Sequence, residues 1–586
     1  MTAPNRATLW GRVLVDELSK AGLEAVCLAP GSRSTPLTVA FAESDVRVFS
    51  HLDERSAAFF ALGRARRTGE PTALVCTSGT AAANFHPAVI EASQARVPLL
   101  VLTADRPAEL RDSGANQTVD QVKLYGDAVR WYAELPDPEA DQRKVRSLRT
   151  TAARALAETT GVPPGPVHLN CPLRKPLEPT DVPEAVPDEF AETLAGAGRE
   201  GPFVRTERGR TTADADAVDR VASALEDAER PLLVAGPADP PAVDGIDPDV
   251  VAAIATAAAA PIFADPLSGL RFGPHVDDAP VCGGYDGYAD ALPAPDVVVR
   301  VGASPTSKRL RNALRDAEAR QFLVDPAGEW REATFTATDL VTAEPGPFLA
   351  SVAAELDADA GTDADWLESV REAEARHWRV CEAARTDDAV ASDPFEGAVV
   401  AAALDLAPDP ATVFVSNSMP IRDADRFGRP RSAALTVLAN RGASGIDGIT
   451  STALGAGSAT DDPLVLVTGD LAFYHDANGL LAVDRCGVDA TVVLLDNDGG
   501  GIFHKLPIES FDPPFTDQFK TPHGLEFDAL AEFYDVEFER VAPADFDEAY
   551  ERSLRRPGTQ VLAVGFDAEA SHRRREELER RVRDGE

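Results

Sequence analysis

Two polar side chains stand directly after apolar runs in the last third of the chain. Asp470 ends the run LVLVTGD, and Asn497 follows the next such run, TVVLLDND, 27 positions later. Because parallel strands bring their carboxyl ends to one edge of a sheet, we expect both side chains to lie there. A carboxylate, an amide and a carbonyl from the glycines that follow would suit Mg²⁺ holding a diphosphate. An isolated Asp/Asn/Gly cluster is more often a solvated turn, so this interpretation needs support from elsewhere in the chain.

Arginines occupy equivalent positions after four other apolar runs, although the chain is strongly acidic. They are Arg33, Arg106, Arg422 and Arg441. A guanidinium group binds a carboxylate through a planar fork, so these positions predict a substrate with more than one carboxylate. The alternative, that each arginine pairs with a local acid, explains one such residue better than it explains four.

The elements that must position these residues are short runs of Val, Leu and Ile that alternate with segments of helical length. This alternation predicts an α/β fold with three domains, each a parallel sheet covered by helices on both faces. The predicted domains are 1–180, 216–355 and 396–570, joined by linkers over 181–215 and 356–395, the second with a helix. The charged tail, 571–586, is predicted to be a solvated helix rather than a nucleic-acid-binding segment.

Composition argues against several classes of function. The formal charge of -39 disfavours binding to nucleic acid or to an anionic membrane. There is neither a membrane-length apolar run nor a signal pattern, so we expect a cytoplasmic protein. Dispersed acids and rare lysine indicate a salt-rich cytoplasm, and dialysis to low salt should remove secondary structure measured by circular dichroism. The widely spaced cysteines predict buried, reduced thiols rather than a zinc site or disulfides.

The spacing of Asp470 and Asn497 resembles the signature of enzymes that use thiamin diphosphate, in which a Gly-Asp pair precedes an Asn at about this distance. The resemblance implies thiamin diphosphate and Mg²⁺ as cofactors, with Mn²⁺ as the alternative metal. Such enzymes also place a glutamate from a separate domain against the aminopyrimidine ring. Glu54 in SHLDERSAAFFALG is the candidate for that role, although on its own it would be interpreted as a surface charge.

A closer resemblance extends over nearly the whole chain. It is carried, in order, by PGSRSTP, HLDERSAAFFALG, CTSGTAAANFHPAVIEA, LTADRPAELRDSGANQT, SNSMPIRDAD, NRGASGIDGITSTALG, GDLAFYHDANGL and DNDGGGIF. These stretches resemble the 2-succinyl-5-enolpyruvyl-6-hydroxy-3-cyclohexene-1-carboxylate synthase family of menaquinone biosynthesis. The resemblance implies decarboxylation of 2-oxoglutarate and 1,4-addition of the succinyl unit to isochorismate. Both substrates are dianions, which would account for the arginines.

The resemblance also implies a role for each candidate residue. Glu54 would activate the cofactor, and Ser32 and Arg33 would act at the reacting ring. The residues expected at the cofactor are Ser418, Ile446 as an apolar wedge, Gly469, and the metal ligands Asp470, Asn497 and the Gly499 carbonyl. Those expected at the substrates are Arg33, Arg106, Asn116, Gln117 and Lys308 for isochorismate, Ser418, Arg422 and Arg441 for the succinyl carboxylate, and Phe503 in the pocket wall. No catalytic role is expected for His51, His86, His475 or His504.

The same resemblance implies pyrimidine-binding, central and diphosphate-binding domains, in a homodimer or a dimer of dimers. Another thiamin-dependent 2-oxo-acid carboligase, such as an acetolactate-synthase relative, is the main alternative, and the arginines disfavour it. A non-catalytic thiamin-binding relative is disfavoured because Glu54 and both metal ligands are present. A nicotinamide dehydrogenase is disfavoured because APGSRSTP lacks the G-x-G-x-x-G pattern.

Overall fold

The computed structural model describes residues 3–241, 245–357 and 364–585. Its strands form three sheets of six strands each. Neighbouring strands of these sheets run parallel throughout the described residues. Helices separate most successive strands along the chain, so the predicted α/β fold class is confirmed.

The chain divides into two compact units. The first contains residues up to Gly209 together with Asn440–Thr460 and Asn478–Val488. The second contains Arg210–Ala439, Asp461–Ala477 and Asp489–Glu586. The candidate site residues are therefore distributed over both units.

One sheet forms the centre of the first unit. Its strands are β1 (Ala25–Leu28), β2 (Arg47–Ser50), β3 (Thr72–Cys76), β4 (Leu99–Asp105), β5 (Trp131–Glu134) and β6 (Val167–Pro172), in the spatial order β2-β1-β3-β4-β6-β5. Strands β1, β3, β4 and β6 are buried along their whole length, as their apolar runs predict. The strand order reverses between β1 and β3, and the edge beyond such a reversal is where open α/β sheets bind ligands. The helices of this unit are Arg6–Lys20, Thr35–Ala42, Glu54–Thr68, Thr80–Asn84, His86–Gln94, Gln142–Thr159, Leu194–Ala197, Ile449–Gly457 and Leu481–Cys486.

Two of these helices, Glu54–Thr68 and Ile449–Gly457, approach each other closely. A Cβ at Gly63 would lie 1.8 Å from the Thr452 carbonyl oxygen, and one at Gly455 would lie 2.0 Å from the Phe60 carbonyl oxygen. Only glycine fits such a backbone contact. The helix that begins with Glu54 is therefore fixed along its length by packing in this unit.

The second unit contains the other two sheets. The strands of one are β7 (Pro231–Ala235), β8 (Ile262–Ala264), β9 (Val281–Cys282), β10 (Val297–Val301), β11 (Arg320–Asp325) and β12 (Asp339–Thr342), in the order β12-β11-β10-β7-β8-β9. Those of the other are β13 (Ala411–Val415), β14 (Leu435–Leu438), β15 (Leu464–Gly469), β16 (Thr491–Asp496), β17 (Glu537–Val541) and β18 (Gln560–Gly565), in the order β14-β13-β15-β16-β18-β17. The reversal between β13 and β15 has the same form as that between β1 and β3. The helices of this unit are Ala215–Glu226, Pro248–Ala257, Lys308–Asp316, Pro345–Glu355, Ala364–Ala383, Asp387–Ser392, Glu396–Asp405, Met419–Phe427, Asp470–His475, Asp528–Tyr534, Phe546–Leu554 and Ala568–Asp584.

The C-terminal helix, Ala568–Asp584, differs from the solvated helix that its charge pattern predicts. One face of it is buried, and that face includes Ser571, Arg575, Leu578 and Val582. Leu578 and Val582 join the apolar core beside the β7–β12 sheet. The prediction of a helix is correct, and the prediction of full solvation is wrong because this face packs against the second unit.

Five of the cysteines are buried and Cys486 is partly buried, and all six are free thiols. Burial raises the pKa of the Cys27 and Cys76 thiols well above the ordinary value, so these two remain protonated. Among the described helices, none combines the length and the apolar character needed to cross a membrane.

Candidate active site

Glu54 is the first residue of its helix in the first unit. Asp53 caps the helix, because its carboxylate accepts hydrogen bonds from the backbone N–H groups of Arg55 at 2.9 Å and Ser56 at 3.3 Å. The other oxygen of Asp53 accepts from Asn478 Nδ2 at 3.1 Å. Capping is therefore done by Asp53, and the half-buried carboxylate of Glu54 is left for another partner.

Arg33 and Arg106 form a pair of neighbouring cations after β1 and β4. Arg33 is buried, and its guanidinium donates to the Leu173 carbonyl at 2.6 Å. Burial and the positive charge of Arg106 lower the pKa of Arg33. Nε of Arg106 is buried and has no hydrogen-bond partner among the described residues. Two partly desolvated guanidinium groups with unused donors are suited to an anionic ligand.

The acid beside this pair in the sequence makes its hydrogen bonds to groups other than the two guanidinium groups. Asp105 lies beside Arg106 in sequence, but its Oδ2 accepts from Asn170 at 2.8 Å and from Arg111 at 3.1 Å. Local pairing with an acid, the simpler explanation for arginines at strand ends, is therefore not observed for Arg33 and Arg106 among the described residues.

Gln117 is held against the end of β3. Its Nε2 donates to the Ser78 carbonyl at 3.0 Å, and the Ser78 hydroxyl donates to the Gln117 carbonyl at 3.0 Å. The backbone N–H of Arg33 donates to the hydroxyl of Thr77, next to Ser78, at 3.2 Å. The segment after β3 thus brings Gln117 and Arg33 together. Ser32 and Asn116 are exposed, and their side chains make no hydrogen bond within the described part of the chain.

The loop that carries Arg441 and Ile446 is anchored by a residue that sequence reasoning missed. Glu91 is 3% exposed, and its carboxylate accepts from three successive backbone N–H groups, those of Gly442 at 2.7 Å, Ala443 at 2.6 Å and Ser444 at 3.0 Å. Arg441 and Ile446 are partly buried on either side of this anchor. Glu91 lies within an ordinary helical pattern, so nothing in its sequence context indicates this role.

Asp470, Asn497 and Gly499 meet in the second unit, at the ends of β15 and β16. Oδ2 of Asp470 accepts from the backbone N–H of Asn497 at 3.1 Å and of Gly499 at 2.9 Å. Burial raises the pKa of Asp470, although these hydrogen bonds oppose the shift. Gly499 has φ of +134°, and a Cβ there would lie 2.1 Å from the Lys520 carbonyl oxygen, so only glycine fits.

Asn497 fits the role of metal ligand by its chemistry. Its Oδ1 is buried and accepts no hydrogen bond from any residue that the structure describes. A buried amide oxygen without a partner is costly unless a ligand occupies the position in front of it. With the carboxylate of Asp470 and the Gly499 carbonyl, it completes the set of hard oxygen donors that Mg²⁺ prefers.

Two further residues lie close to Asp470. Oxygen atoms of Asp470 and Asp496 and a ring nitrogen of His523 all lie within 4.8 Å of one another, so these three could also hold a metal. The ring nitrogen Nδ1 of His523 accepts from Leu525 N at 3.0 Å, which leaves Nε2 as the donor to Asp470 Oδ2 at 3.3 Å. His523 comes from a segment without regular structure, far along the chain, and no pattern in the sequence indicates it.

A cavity of about 1000 Å³ in the second unit brings several cations together. Lys308, Arg422 and Lys505 line it. Desolvation in the cavity, together with repulsion from Arg426 and Arg422, lowers the pKa of Lys505. Acids also line the cavity, and two of them, Asp286 and Glu579, oppose this shift in the Lys505 pKa. Sequence reasoning predicted Lys308 and Arg422 and missed Lys505.

Ser418 directly precedes the helix Met419–Phe427, which carries Arg422, and its backbone is strained. Its φ is +72°, a left-handed conformation that residues other than glycine rarely adopt. The Arg422 guanidinium donates to the Ser418 carbonyl.

Phe503 lies in the short turn Gly501–Lys505 and contacts Phe519 edge to face at 5.4 Å. Gly469 ends β15, and a Cβ there would meet no described atom within 4 Å.

The four histidines for which no catalytic role is expected lie in different surroundings. Burial and the neighbouring Arg485 lower the pKa of His51 to about 4, so the ring is neutral near pH 7. His86 contacts Tyr125 edge to face, and His504 Nδ1 binds Glu509 at 2.8 Å. His475 is exposed. The expectation that these residues are structural remains a prediction.

Comparison with known proteins agrees with the fold. Residues 10–124 match the thiamine pyrophosphate enzyme N-terminal TPP binding domain, and residues 425–564 match the corresponding C-terminal TPP binding domain. Among solved structures, a thiamine diphosphate-dependent 4-hydroxybenzoylformate decarboxylase of Rhodococcus jostii RHA1 aligns with a TM-score of 0.70 at 19% identity. The alignment covers 95% of this chain and 99% of that one. The class is therefore that of the thiamine pyrophosphate enzymes.

Full-length relatives narrow the class to one family. The 2-succinyl-5-enolpyruvyl-6-hydroxy-3-cyclohexene-1-carboxylate synthase of Haloarcula marismortui is 63% identical over 99% of both chains. The synthases of that name from Halobacterium salinarum and Roseiflexus sp. are 61% and 47% identical over 99% and 98% of both chains. This chain belongs to the family of 2-succinyl-5-enolpyruvyl-6-hydroxy-3-cyclohexene-1-carboxylate synthases. The family predicted from the motifs is confirmed, and the relatives from halophiles agree with the acidic composition.

Proposed function

We propose that the enzyme decarboxylates 2-oxoglutarate and adds the resulting four-carbon unit to isochorismate in a 1,4 sense. The products are CO₂ and the cyclohexene carboxylate for which the family is named. When bound, thiamin diphosphate supplies the nucleophilic carbon for this chemistry. The observation that carries the proposal is the buried, unpartnered Oδ1 of Asn497 beside Asp470, in a chain of this family.

In this proposal Asp470, Asn497 and the Gly499 carbonyl hold Mg²⁺, or Mn²⁺ in its place, and so bind the diphosphate. Asp496 and His523, which lie within reach of Asp470, are candidates for further ligands. The carboxylate of Glu54 accepts a hydrogen bond from the aminopyrimidine ring. Ile446 supports the cofactor as an apolar wedge, and the anchor at Glu91 supports the loop that carries it.

In this proposal, different cations bind the two dianionic substrates. Arg33 and Arg106 bind isochorismate carboxylates with their unused donors, and Asn116, Gln117 and Lys308 contribute further polar contacts, while Ser32 lies beside the reacting ring. Arg422, Ser418 and Arg441 receive the distal carboxylate of the succinyl unit, and Phe503 lines the pocket. We also propose that the enzyme is cytoplasmic and acts as a homodimer or a dimer of dimers.

A coupling assay in concentrated KCl tests the proposal. The reaction contains thiamin diphosphate, Mg²⁺, 2-oxoglutarate and isochorismate, and the diene absorbance of isochorismate is followed. We expect consumption that needs all four components and falls at least about 100-fold in Glu54→Gln, since this removes proton transfer at the cofactor. Glu43→Gln, in an exposed ion pair with Arg12, is the matched control and should retain activity.

Two results would contradict the proposal in different ways. If isochorismate persists while CO₂ is released from 2-oxoglutarate or pyruvate, the enzyme uses thiamin but a different acceptor, as another 2-oxo-acid carboligase would. If Glu54→Gln retains full activity, the role given to Glu54 is wrong.

A further inference from the structure

The amide of Asn497 can present its oxygen to a metal only in one of its two orientations. Its Nδ2 donates to Oε1 of Glu396 at 2.9 Å. A carboxylate accepts hydrogen bonds and has none to donate. Glu396 therefore selects the NH₂ end of the amide, and Oδ1 of Asn497 is left on the side away from Glu396.

Glu396 is itself firmly held. It is 2% exposed and begins the helix Glu396–Asp405. Its second oxygen, Oε2, accepts from the hydroxyl of Ser571 and from the guanidinium of Arg575, both in the C-terminal helix. The backbone N–H of Glu396 donates to the same hydroxyl at 3.1 Å. The guanidinium of Arg575 balances the negative charge of Glu396, and the donors of Ser571 and Asn497 bind its two oxygens.

Arg575 connects this carboxylate to a second part of the site. Its Nε donates to Asp423 Oδ1 at 2.8 Å, and its terminal nitrogen donates to Asp423 Oδ2 at 2.5 Å. Asp423 directly follows Arg422 in the helix Met419–Phe427. One buried guanidinium thus joins the C-terminal helix to the helix that holds Asn497 in position and to the helix that carries Arg422.

We propose that Glu396 is a positioning residue that orients Asn497 as a metal ligand, and that Arg575 holds Glu396 in that position. This inference rests on the proposed function, because it takes Asn497 to be a ligand. A negative charge hydrogen-bonded to the NH₂ end also makes the amide oxygen a stronger donor to a cation. Substituting a residue that hydrogen-bonds to a metal ligand typically changes the metal affinity by about 10–100-fold.

The test is a titration of the full-length protein with Mn²⁺ in concentrated KCl, in the presence of thiamin diphosphate, with free Mn²⁺ measured by electron paramagnetic resonance. In Glu396→Gln, which has the same size but an NH₂ group facing either Asn497 or Arg575, the Kd for Mn²⁺ should rise about 10–100-fold. Activity lost at low Mn²⁺ should return in part at high Mn²⁺, which a general loss of structure would not allow.

Glu374→Gln is the matched control in the same unit. Its carboxylate accepts from Gly283 N at 2.8 Å and from Trp378 Nε1 at 2.7 Å and has no contact with Asn497. We expect it to lower the unfolding midpoint and to leave the Kd for Mn²⁺ within about twofold of the wild-type value. Asn497→Ala should weaken Mn²⁺ binding, and adding Glu396→Gln to it should have no further effect.

The outcomes separate the two proposals. If the wild-type protein does not bind Mn²⁺, the metal site of the proposed function is wrong. If the wild-type protein binds Mn²⁺ and Glu396→Gln binds it equally well, or if its effect adds fully to that of Asn497→Ala, the positioning role is overturned. Should Glu396→Gln fail to fold, Glu396→Asp is titrated instead, since it keeps the charge but is one methylene too short to hold both partners. Unchanged affinity in that variant would overturn the role equally.

Discussion

The two units hold their candidate site residues by different physical means. In the first unit the contacts are mainly with backbone groups: Glu91 binds three N–H groups, Arg33 binds a carbonyl, and Gln117 exchanges hydrogen bonds with Ser78. In the second unit, buried ion pairs with Arg575 between Glu396 and Asp423 are present in addition to the backbone contacts of Asp470. Loss of a side chain that binds backbone leaves neutral groups without a partner, whereas loss of one partner of a buried ion pair leaves an uncompensated charge.

A second buried ion pair fixes the helix Met419–Phe427 of the second unit. Arg271 donates to Asp425 Oδ1 at 2.9 Å, and Tyr285 donates to the same oxygen at 2.8 Å. Asp425 lies in the helix that also contains Arg422 and Asp423. That helix is thus fixed by two separate arginines, and the comparison predicts that losing either one is more destabilising than losing Arg33 of the first unit.

The largest expected effect is that of Arg575→Ala, which leaves Glu396 and Asp423 buried without a cation. We expect the free energy of unfolding to fall by about 3–5 kcal/mol. Arg33→Ala is the matched change in the first unit, where it frees only a backbone carbonyl, and it should cost about 1–2 kcal/mol. Denaturant unfolding in concentrated KCl measures both. If both variants lost the same free energy of unfolding, a buried ion pair and a contact with a backbone carbonyl would stabilise the protein equally, and the comparison would be wrong.

The second-largest expected effect is a decrease in the stability of the first unit as the pH falls. Burial lowers the pKa of His51 to about 4, from an ordinary value of 6.5. Below pH 6.5 the unfolded chain therefore binds a proton that the folded chain excludes, so stability falls as the pH falls from 6.5 to 4. The loss from His51 amounts to about 3 kcal/mol, since one pKa unit corresponds to about 1.4 kcal/mol.

Unfolding by urea between pH 7 and pH 4.5 tests this titration. Across that range His51→Gln should lose less stability than the wild-type protein. The lowered pKa of Glu396 contributes in the same direction but only below its unfolded value, since that stability is present above about pH 4.5 and is lost on further acidification. An unchanged pH dependence in His51→Gln would show that the imidazole is charged in the folded protein.

A smaller effect is expected for Glu91→Gln, which replaces a carboxylate that binds three backbone N–H groups. A neutral amide oxygen accepts these bonds more weakly, so unfolding should become easier by about 1–2 kcal/mol. Because the loop with Ile446 is loosened, the concentration of thiamin diphosphate needed for half-maximal activity should rise several-fold. If that concentration rises while the free energy of unfolding stays the same, Glu91 positions the loop without stabilising the fold.

The sequence predicted those features that follow from local patterns. The three sheets could be derived from the apolar runs, and Asp470 and Asn497 could be placed together because both end neighbouring parallel strands. Glu91, Glu396 and His523 could not be found in this way. Their partners lie 351, 101 and 53 residues away along the chain, and no periodicity connects them. The buried face of the C-terminal helix was missed because its central residue is an arginine, which alone predicts solvent exposure.

The bond between Glu396 and Arg575 also has a consequence for the order of events during protein synthesis. The two residues are 179 positions apart. At roughly 5–20 residues per second, the ribosome adds Arg575 about ten to forty seconds after Glu396. Burying the carboxylate before its partner exists would be costly, so Glu396 is expected to stay in water during this interval. Asn497 therefore acquires its final orientation only after the helix Ala568–Asp584 has emerged, which makes the metal site one of the last parts of the nascent enzyme to mature.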